Sequence, residues 1–489
     1  MMGKQADYQQ KLFITGFNLD NRIRPDHLLR KISEQIDFDF IYREVKDAYG
    51  KNGNVSVPPP VILKMMLLLM LYNVRSEREL IDTIPERLDW LWFLGYDLND
   101  EIPNHSVLSK ARSRWGVEIF KSFFERIVWQ CVESGLVNGN KLFVDASLID
   151  ANASNNSVIN KETLKKHLKQ GYQTLEERLD DLGTEKVKPA NERFTSTTDP
   201  DASVTRQFQG KSKLRYKTHR AVDPKHEVIT ATKITPGSVD DGHMLKAMIE
   251  SHQENTQKQV DTVAADQKYG SIDNYLQCYD LGIKAHIPSV EDAHKGLGTK
   301  KDIFPKEAFQ YESETDTYIC PAGEVLRKRH YFEKRRHYEY QTTQGICAGC
   351  DLKERCTRSK TGRTLKRHIR QAELTSMLKQ AKSKAALKDL KTRQHLSERS
   401  FARSTRYGFK RARWRRLWRM EIQDFLIAAI ENISILIRHS KAKLSKNMIH
   451  VVPKVRKQSW ETLQRLTRGP ISRIKELFSL PISCFMCTK

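Results

Sequence analysis

The chain has 489 residues, 39% of them hydrophobic, and a formal net charge of +24. The length allows about two to four domains, and the apolar share excludes wholesale disorder. The positive excess is larger than solubility needs and points to a polyanionic partner: DNA, RNA or an acidic membrane surface. Residues 1–140 read as helices. PDHLLRKISEQID opens on Pro25 and Asp26, typical of a first helical turn. VPPPVILKMMLLLMLYNV is a proline-started helix, apolar enough to be buried but interrupted by Lys64 and too short to cross a bilayer. SERELIDTI sets Glu79 three residues after Ser76, a capping-box spacing. With the basic PNHSVLSKARSRWG that follows, it resembles a helix-turn-helix that would contact DNA; a plain helical bundle is the alternative. VEIFKSFFERIVWQCVESGLV is an amphipathic helix leading out of the region.

The period then changes. KLFVDASLIDA (141–151) reads as a strand, and residues 155–210 as a polar insertion, helical near KETLKKHLKQGYQTLEERLDDL and otherwise loop. LRYKTHRAVDPKHEVITATKITPG reads as a hairpin turning at Asp223–His226. DDGHMLKAMIESHQ is helix, QVDTVAADQKYG strand then turn, SIDNYLQCYDLG a helix capped by Ser271 and stopped by Gly282, and IKAHIPS a last strand. This order predicts a mixed α/β sheet flanked by helices, its first part spanning 141–289. Residues 290–380 form a basic, cysteine-containing insertion. Residues 381–440 return to helix and complete the core, and 441–489 are a basic tail. The start, MMGKQADYQQ, lacks the apolar core of a secretory signal. A soluble protein of the cytoplasm with no membrane partner is expected.

Three carboxylates sit in awkward places. Asp145 lies in LFVDASLI, a strand apolar on both sides and therefore central. Asp266 ends VDTVAAD, and ligands collect at the C-terminal ends of strands in such sheets. Glu398 is the one acid among eleven Lys or Arg in residues 391–420. Helical periodicity sets it on a face with Leu387, Leu390 and Phe401, where a carboxylate is costly unless paired or metal-bound. Each acid has a plainer reading: a cap for Asp266, a basic partner for Asp145 or Glu398. Together they have the hard oxygen ligands that a two-metal phosphoryl-transfer site needs.

At these residues the chain resembles the DDE transposases of bacterial insertion sequences. FVDASLIDANAS resembles the family's first-Asp strand, VAADQKYGS its second-Asp motif, and SERSFARSTRYGFKRARWRR its Glu helix. The resemblance extends over roughly residues 20–440, taking in a helical N-terminal domain and a cysteine-rich insert. It implies an RNase H-like core in which Asp145, Asp266 and Glu398 are the catalytic, metal-binding triad for two Mg²⁺ (or Mn²⁺) ions. It also implies hydrolysis at a transposon end followed by strand transfer into target DNA, with double-stranded DNA as partner, a homodimer on the DNA, and a nucleoid-associated bacterial protein. A DNA-binding relative without catalysis and a Mg²⁺-dependent nuclease are the alternatives. The family's Tyr, Arg and Lys around the Glu are here Lys391, Gln394 and Thr405, with Arg393 one residue off and Arg403 and Arg406 as substitutes. Asp150, five residues after Asp145, is the competing first acid, but strand context and motif both favour Asp145.

Trp414 and Trp418 interleave with the basic residues of 391–420. Arg393, Arg403, Arg406, Lys410, Arg411, Arg413, Trp414 and Arg415 are thus candidate DNA contacts, neutralising phosphates and stacking on bases; a solvated basic helix is the plainer alternative. Cys320, Cys347, Cys350 and Cys356, spaced C-x26-C-x2-C-x5-C, fit a closed structural Zn²⁺ site, with reduced free thiols as the alternative. Cys484 and Cys487 read as free thiols, and His243 in DDGH as a helix-cap residue.

Overall fold

Pro58 is extended and leaves Pro59 and Pro60 to open α1 (Pro59–Leu71), where missing amide hydrogens cost nothing. Every residue from Pro59 to Met70 is buried, Lys64 included, as suits a helix apolar all round. The structure, a computed structural model, describes residues 18–50, 54–160, 194–206, 210–290 and 302–439. Ser76 accepts a hydrogen bond from the Glu79 amide at 3.1 Å, and Glu79 accepts one from the Arg75 amide, so the cap reads as expected. The helix-turn-helix does not form as drawn. A further helix, Leu88–Leu94, lies between the Glu77–Thr83 helix and the basic one. That basic helix and the amphipathic one after it run as α2 (Ser106–Glu133), broken at Gly116, whose φ of 69° suits glycine.

The main sheet has the order β6–β5–β1–β7–β8, with β4 (Ser203–Thr205) beside β6 on the same edge of β5. β1 (Lys141–Asp150) is central. β5 (Lys213–Asp223) and β6 (Val228–Pro236) are the expected hairpin, antiparallel to each other and to β1. β7 (Thr262–Ala265) and β8 (Lys284–His286) continue the other side, parallel to β1. A separate short hairpin joins β2 (Val158–Asn160) to β3 (Phe194–Ser196).

One face of the sheet carries Leu142, Val144, Val263 and Ala265, covered by α3 (Leu245–Thr256), α4 (Ile272–Asp280) and α5 (Gln371–Ala381). α6 (Lys384–Thr405) lies over the other face, where Leu396 packs on Phe143 and Ala264. α7 (Leu417–His439) closes the fold. It shares one core with α1, α2 and β6, and Phe425 meets Phe124 at 5.7 Å.

Two stretches read as irregular are ordered. Asp199, in the polar TSTTDPDAS, is fully buried; it accepts hydrogen bonds from the Tyr216 hydroxyl (2.6 Å) and the Arg416 amide (3.0 Å). The cysteine-containing segment forms an antiparallel sheet, β13–β12–β11–β10–β9, from Gln310–Glu312, Thr317–Ile319, Val325–Phe332, His337–Gln341 and Thr364–His368, numbered β9 to β13 in chain order. Its own core is Phe309, Tyr318, Leu326, Tyr340 and Leu365. The helix expected near 161–182 and the tail beyond 440 lie outside the described residues. Among the described residues, no helix is long and apolar enough to cross a membrane.

Candidate active site

β1 and β7 pair in parallel from Lys141 opposite Thr262 to Val144 opposite Ala265. One further step of that register sets Asp145 beside Asp266, which caps the turn after β7 by accepting the Lys268 amide at 3.1 Å. Arg393, on α6, donates to Asp145 Oδ2 at 2.9 Å, and the Ala146 amide donates to Oδ1 at 2.8 Å. Burial first, then the Asp145 charge, push the Asp266 carboxyl above the ordinary carboxylate range, while Arg393 and Lys268 pull it back. The result is two adjacent carboxylates that favour a shared positive charge, with a guanidinium against one of them.

Glu398 is not gathered with them. Its side chain is exposed, accepts a hydrogen bond from Gln394 Nε2 at 3.2 Å, and shares an open face of α6 with His395, Arg399 and Ala402. The face read as inward is therefore corrected: Leu387 is 56% exposed, and the buried face holds Ala386, Asp389, Leu396, Ser397, Ser400 and Ser404. That face is mostly small or polar because it packs against polar groups of the sheet. Asp389 takes Lys141 (2.9 Å) and His286 (2.6 Å), and Ser404 takes Arg220 (2.6 Å). Glu398 follows Arg393 by five residues, about 140° round the helix. Among the described residues, no three His, Cys, Asp or Glu side chains gather closely enough to hold a metal ion.

The competing acid, Asp150, is engaged by Lys213 (2.9 Å) and Arg215 (2.8 Å). Asp241 was missed. It is buried, pairs with Lys217 (2.5 Å) and Lys268 (3.2 Å), and adds its field to Asp266. Its signal was the doubled acid of DDGH: Asp240 alone caps the turn, through the Gly242 amide at 2.8 Å, while His243 is exposed. Beside Asp241, burial pushes the His219 imidazole down to about 4.

The basic stretch divides. Arg403 binds Glu227 and Glu431. Arg413 binds the Val74 carbonyl and Asn73, and Trp414 donates to Glu77 at 3.1 Å with Arg112 stacked 4.0 Å from its ring. These residues tie the segment to the N-terminal helices. Arg406, Lys410, Arg411 and Arg415 are exposed and, among the described residues, carry no ion pair. Cys320, Cys347, Cys350 and Cys356 are free thiols lining one cavity. Cys320 Sγ accepts the Glu324 amide at 3.3 Å, in a turn where Gly323 has φ 85°. Cys347 Sγ lies 3.1 Å from the Thr342 hydroxyl.

Comparison with known proteins bears on the two ends of the described chain. Residues 17–114 match the family described as Transposase domain (DUF772), and residues 319–437 the family described as Transposase DDE domain. No curated protein matches. Among solved structures, a piggyBac transposase synaptic complex with hairpin DNA is similar at 10% identity, over 84% of this chain and 72% of that one, with a TM-score of 0.34. The two family matches, each to a transposase domain, bracket the strands that bear Asp145 and Asp266 and support a transposase function.

Proposed function

We propose that the chain cleaves DNA at transposon ends and joins the freed ends to target DNA, on an RNase H-like core with Asp145, Asp266 and Glu398 as its acids. The observation that carries this reading is the adjacency of Asp145 and Asp266 on parallel neighbouring strands, with Asp266 made harder to ionise by burial and by Asp145. The strand pattern also supports it: a central first strand, an antiparallel hairpin on one side and two parallel strands on the other. The two carboxylates fit a divalent cation, since their donors are hard oxygens and a cationic group already lies against them. When bound, Mg²⁺ or Mn²⁺ supplies charge stabilisation at the attacking and leaving oxygens. Asp145 and Asp266 would hold it from the sheet, and Glu398 would be the third ligand. In hydrolysis a water oxygen bonds to phosphorus, the P–O3′ bond breaks, and the 3′-oxygen leaves as a hydroxyl. That hydroxyl then attacks a target phosphodiester and displaces another 3′-hydroxyl. The exposed Arg406, Lys410, Arg411 and Arg415 bind the DNA backbone, and two copies of the chain act together on it.

The test uses full-length protein, Mg²⁺ and a duplex carrying the ends of the element that encodes the chain. Wild type should nick and then join strands. Asp145→Asn, Asp266→Asn and Glu398→Gln should bind the duplex and do neither. Nicking without joining favours the nuclease, and binding without either reaction by wild type favours a non-catalytic relative.

The four cysteines are the ligand types of a structural Zn²⁺ and line one cavity, and the proposal is that a bound ion would draw them together, since no three of them gather closely enough without it. Purified protein should carry about one zinc per chain, and a strong chelator should lower its melting temperature. Zinc-free protein with an unchanged melt would return the site to reduced thiols.

A further inference from the structure

The Transposase DDE match takes in the last three strands of the cysteine-containing sheet, but it gives that sheet no task. Its β11–β12 ribbon carries a strongly one-signed surface. Residues 327–336 hold six Lys or Arg and one acid, Glu333. All ten are exposed. Lys328 is engaged, donating to Asp316 at 3.0 Å and lying 3.6 Å over the Tyr338 ring. Arg327, Arg329, Lys334, Arg335 and Arg336 have no ion pair among the described residues.

The charges stand on a rigid support. Leu326 and Tyr340 anchor the base of the ribbon in the small core, and β13 pairs along the far side of β12. The pairing skips a residue between Lys328 and His330, so Arg329 is the bulged residue, where a strand twists and re-aims a side chain. Tyr331 and Phe332 stay 39% and 38% exposed at the tip. A face that serves only solubility mixes both signs; one acid against six cations does not. A two-stranded ribbon also matches the width of the DNA major groove.

We propose that this ribbon is a second DNA-gripping element, binding the phosphates of double-stranded DNA independently of sequence; this rests on the transposase reading. The experiment measures binding of full-length protein to a labelled 40-bp duplex of arbitrary sequence across a salt series. Each lost phosphate contact lowers the slope of log K against log[salt] by about 0.9. The triple variant Arg329→Gln, Lys334→Gln, Arg335→Gln should flatten the slope by about 2–3 and weaken binding by about 10–100-fold at 0.15 M salt. Arg335→Gln alone should flatten it by about 1 and guards against misfolding of the triple variant. A control triple, Lys246→Gln, Lys258→Gln, Lys284→Gln, makes the same charge change on other exposed elements and should shift the slope by less than about 1. Equal effects from the two triples, or none from the ribbon variants, would overturn the proposal while leaving the transposase reading intact. Wild type that binds no duplex at low salt would sink both.

Discussion

Two clusters on one face of the main sheet are built from the same parts, an arginine and two carboxylates, and do opposite things. Asp145 pairs directly across the sheet with Arg220, so the clusters are neighbours. In one, Arg220 is 1% exposed and donates to Ser404 (2.6 Å), Glu431 (3.0 Å) and Asp424 (3.3 Å), with the Phe409 ring 4.6 Å away. In the other, among the described residues, Arg393 reaches only Asp145, whose side chain is 22% exposed, and Asp266 sits beside it without a bonded cation. A buried ion network stays fixed because breaking it strands a charge away from water. A half-open pair with one replaceable cation leaves room for exchange. The first cluster locks β5, α6 and α7 together; the second is half-open and held by one arginine.

Substitutions should separate the two clusters by which quantity they change. The largest effect belongs to the open one. Asp145→Asn should slow strand cleavage by about 10⁴-fold, about 5 kcal/mol of barrier, with the melting temperature nearly unchanged. In the closed cluster Arg220→Leu should cost about 3–5 kcal/mol of folding stability by denaturant titration, since Asp424 loses its cation and Glu431 keeps only Arg403. If Arg220→Leu left stability intact and removed cleavage instead, the assignment of roles would be reversed.

Lys64 is a third kind of buried cation, one able to shed its proton. It is 5% exposed, over the rings of Phe38 (5.4 Å) and Phe93 (5.3 Å). Burial pulls its pKa down to about 8, Asp39 opposing. In the unfolded chain the value is about 10.4, so between pH 8 and 10.4 the unfolded state holds more protons. Stability linked to this group therefore rises with pH across that window, and its cost is fully present below pH 8. Lys64→Met should raise stability at pH 7 by about 2–3 kcal/mol and abolish that rise. An unchanged pH profile in the variant would show that Lys64 keeps its proton in the fold.

The contrast also explains what could be read from the sequence. The strands of the core, the hairpin, the Ser271 cap and the order of elements were legible because each follows a period or a turn residue. Asp145 and Asp266 stood out because an acid in an apolar strand, or at its end, breaks a strong local pattern. The phase of α6 was not legible. Its inner face includes Ser400 and Ser404, small residues that make room for Arg220, and the apolar Leu387 lies outside. Hydrophobic periodicity fails where a helix packs on charge. Arg220 lies more than 200 residues before Asp424 and Glu431, so nothing local marks the three as one network. The small cysteine-containing sheet was missed for a different reason. Its alternation, Tyr318, Leu326, Tyr340 and Leu365, is one core residue per strand or little more, too sparse to register against so many cations.

The smallest effect tests whether the cation of the open cluster is replaceable. Arg393→Gln should change stability without metal by less than about 1 kcal/mol, since its pair with Asp145 is partly solvated. Losing the guanidinium also leaves Asp145 and Asp266 facing each other with less compensation. Added Mg²⁺ should then raise the melting temperature of the variant more than that of wild type, because the metal no longer competes with an arginine for Asp145. A smaller Mg²⁺ shift in the variant would mean that Arg393 helps to shape the site for the metal. In that case the two clusters would differ in exposure alone, and both arginines would be fixed parts of the frame.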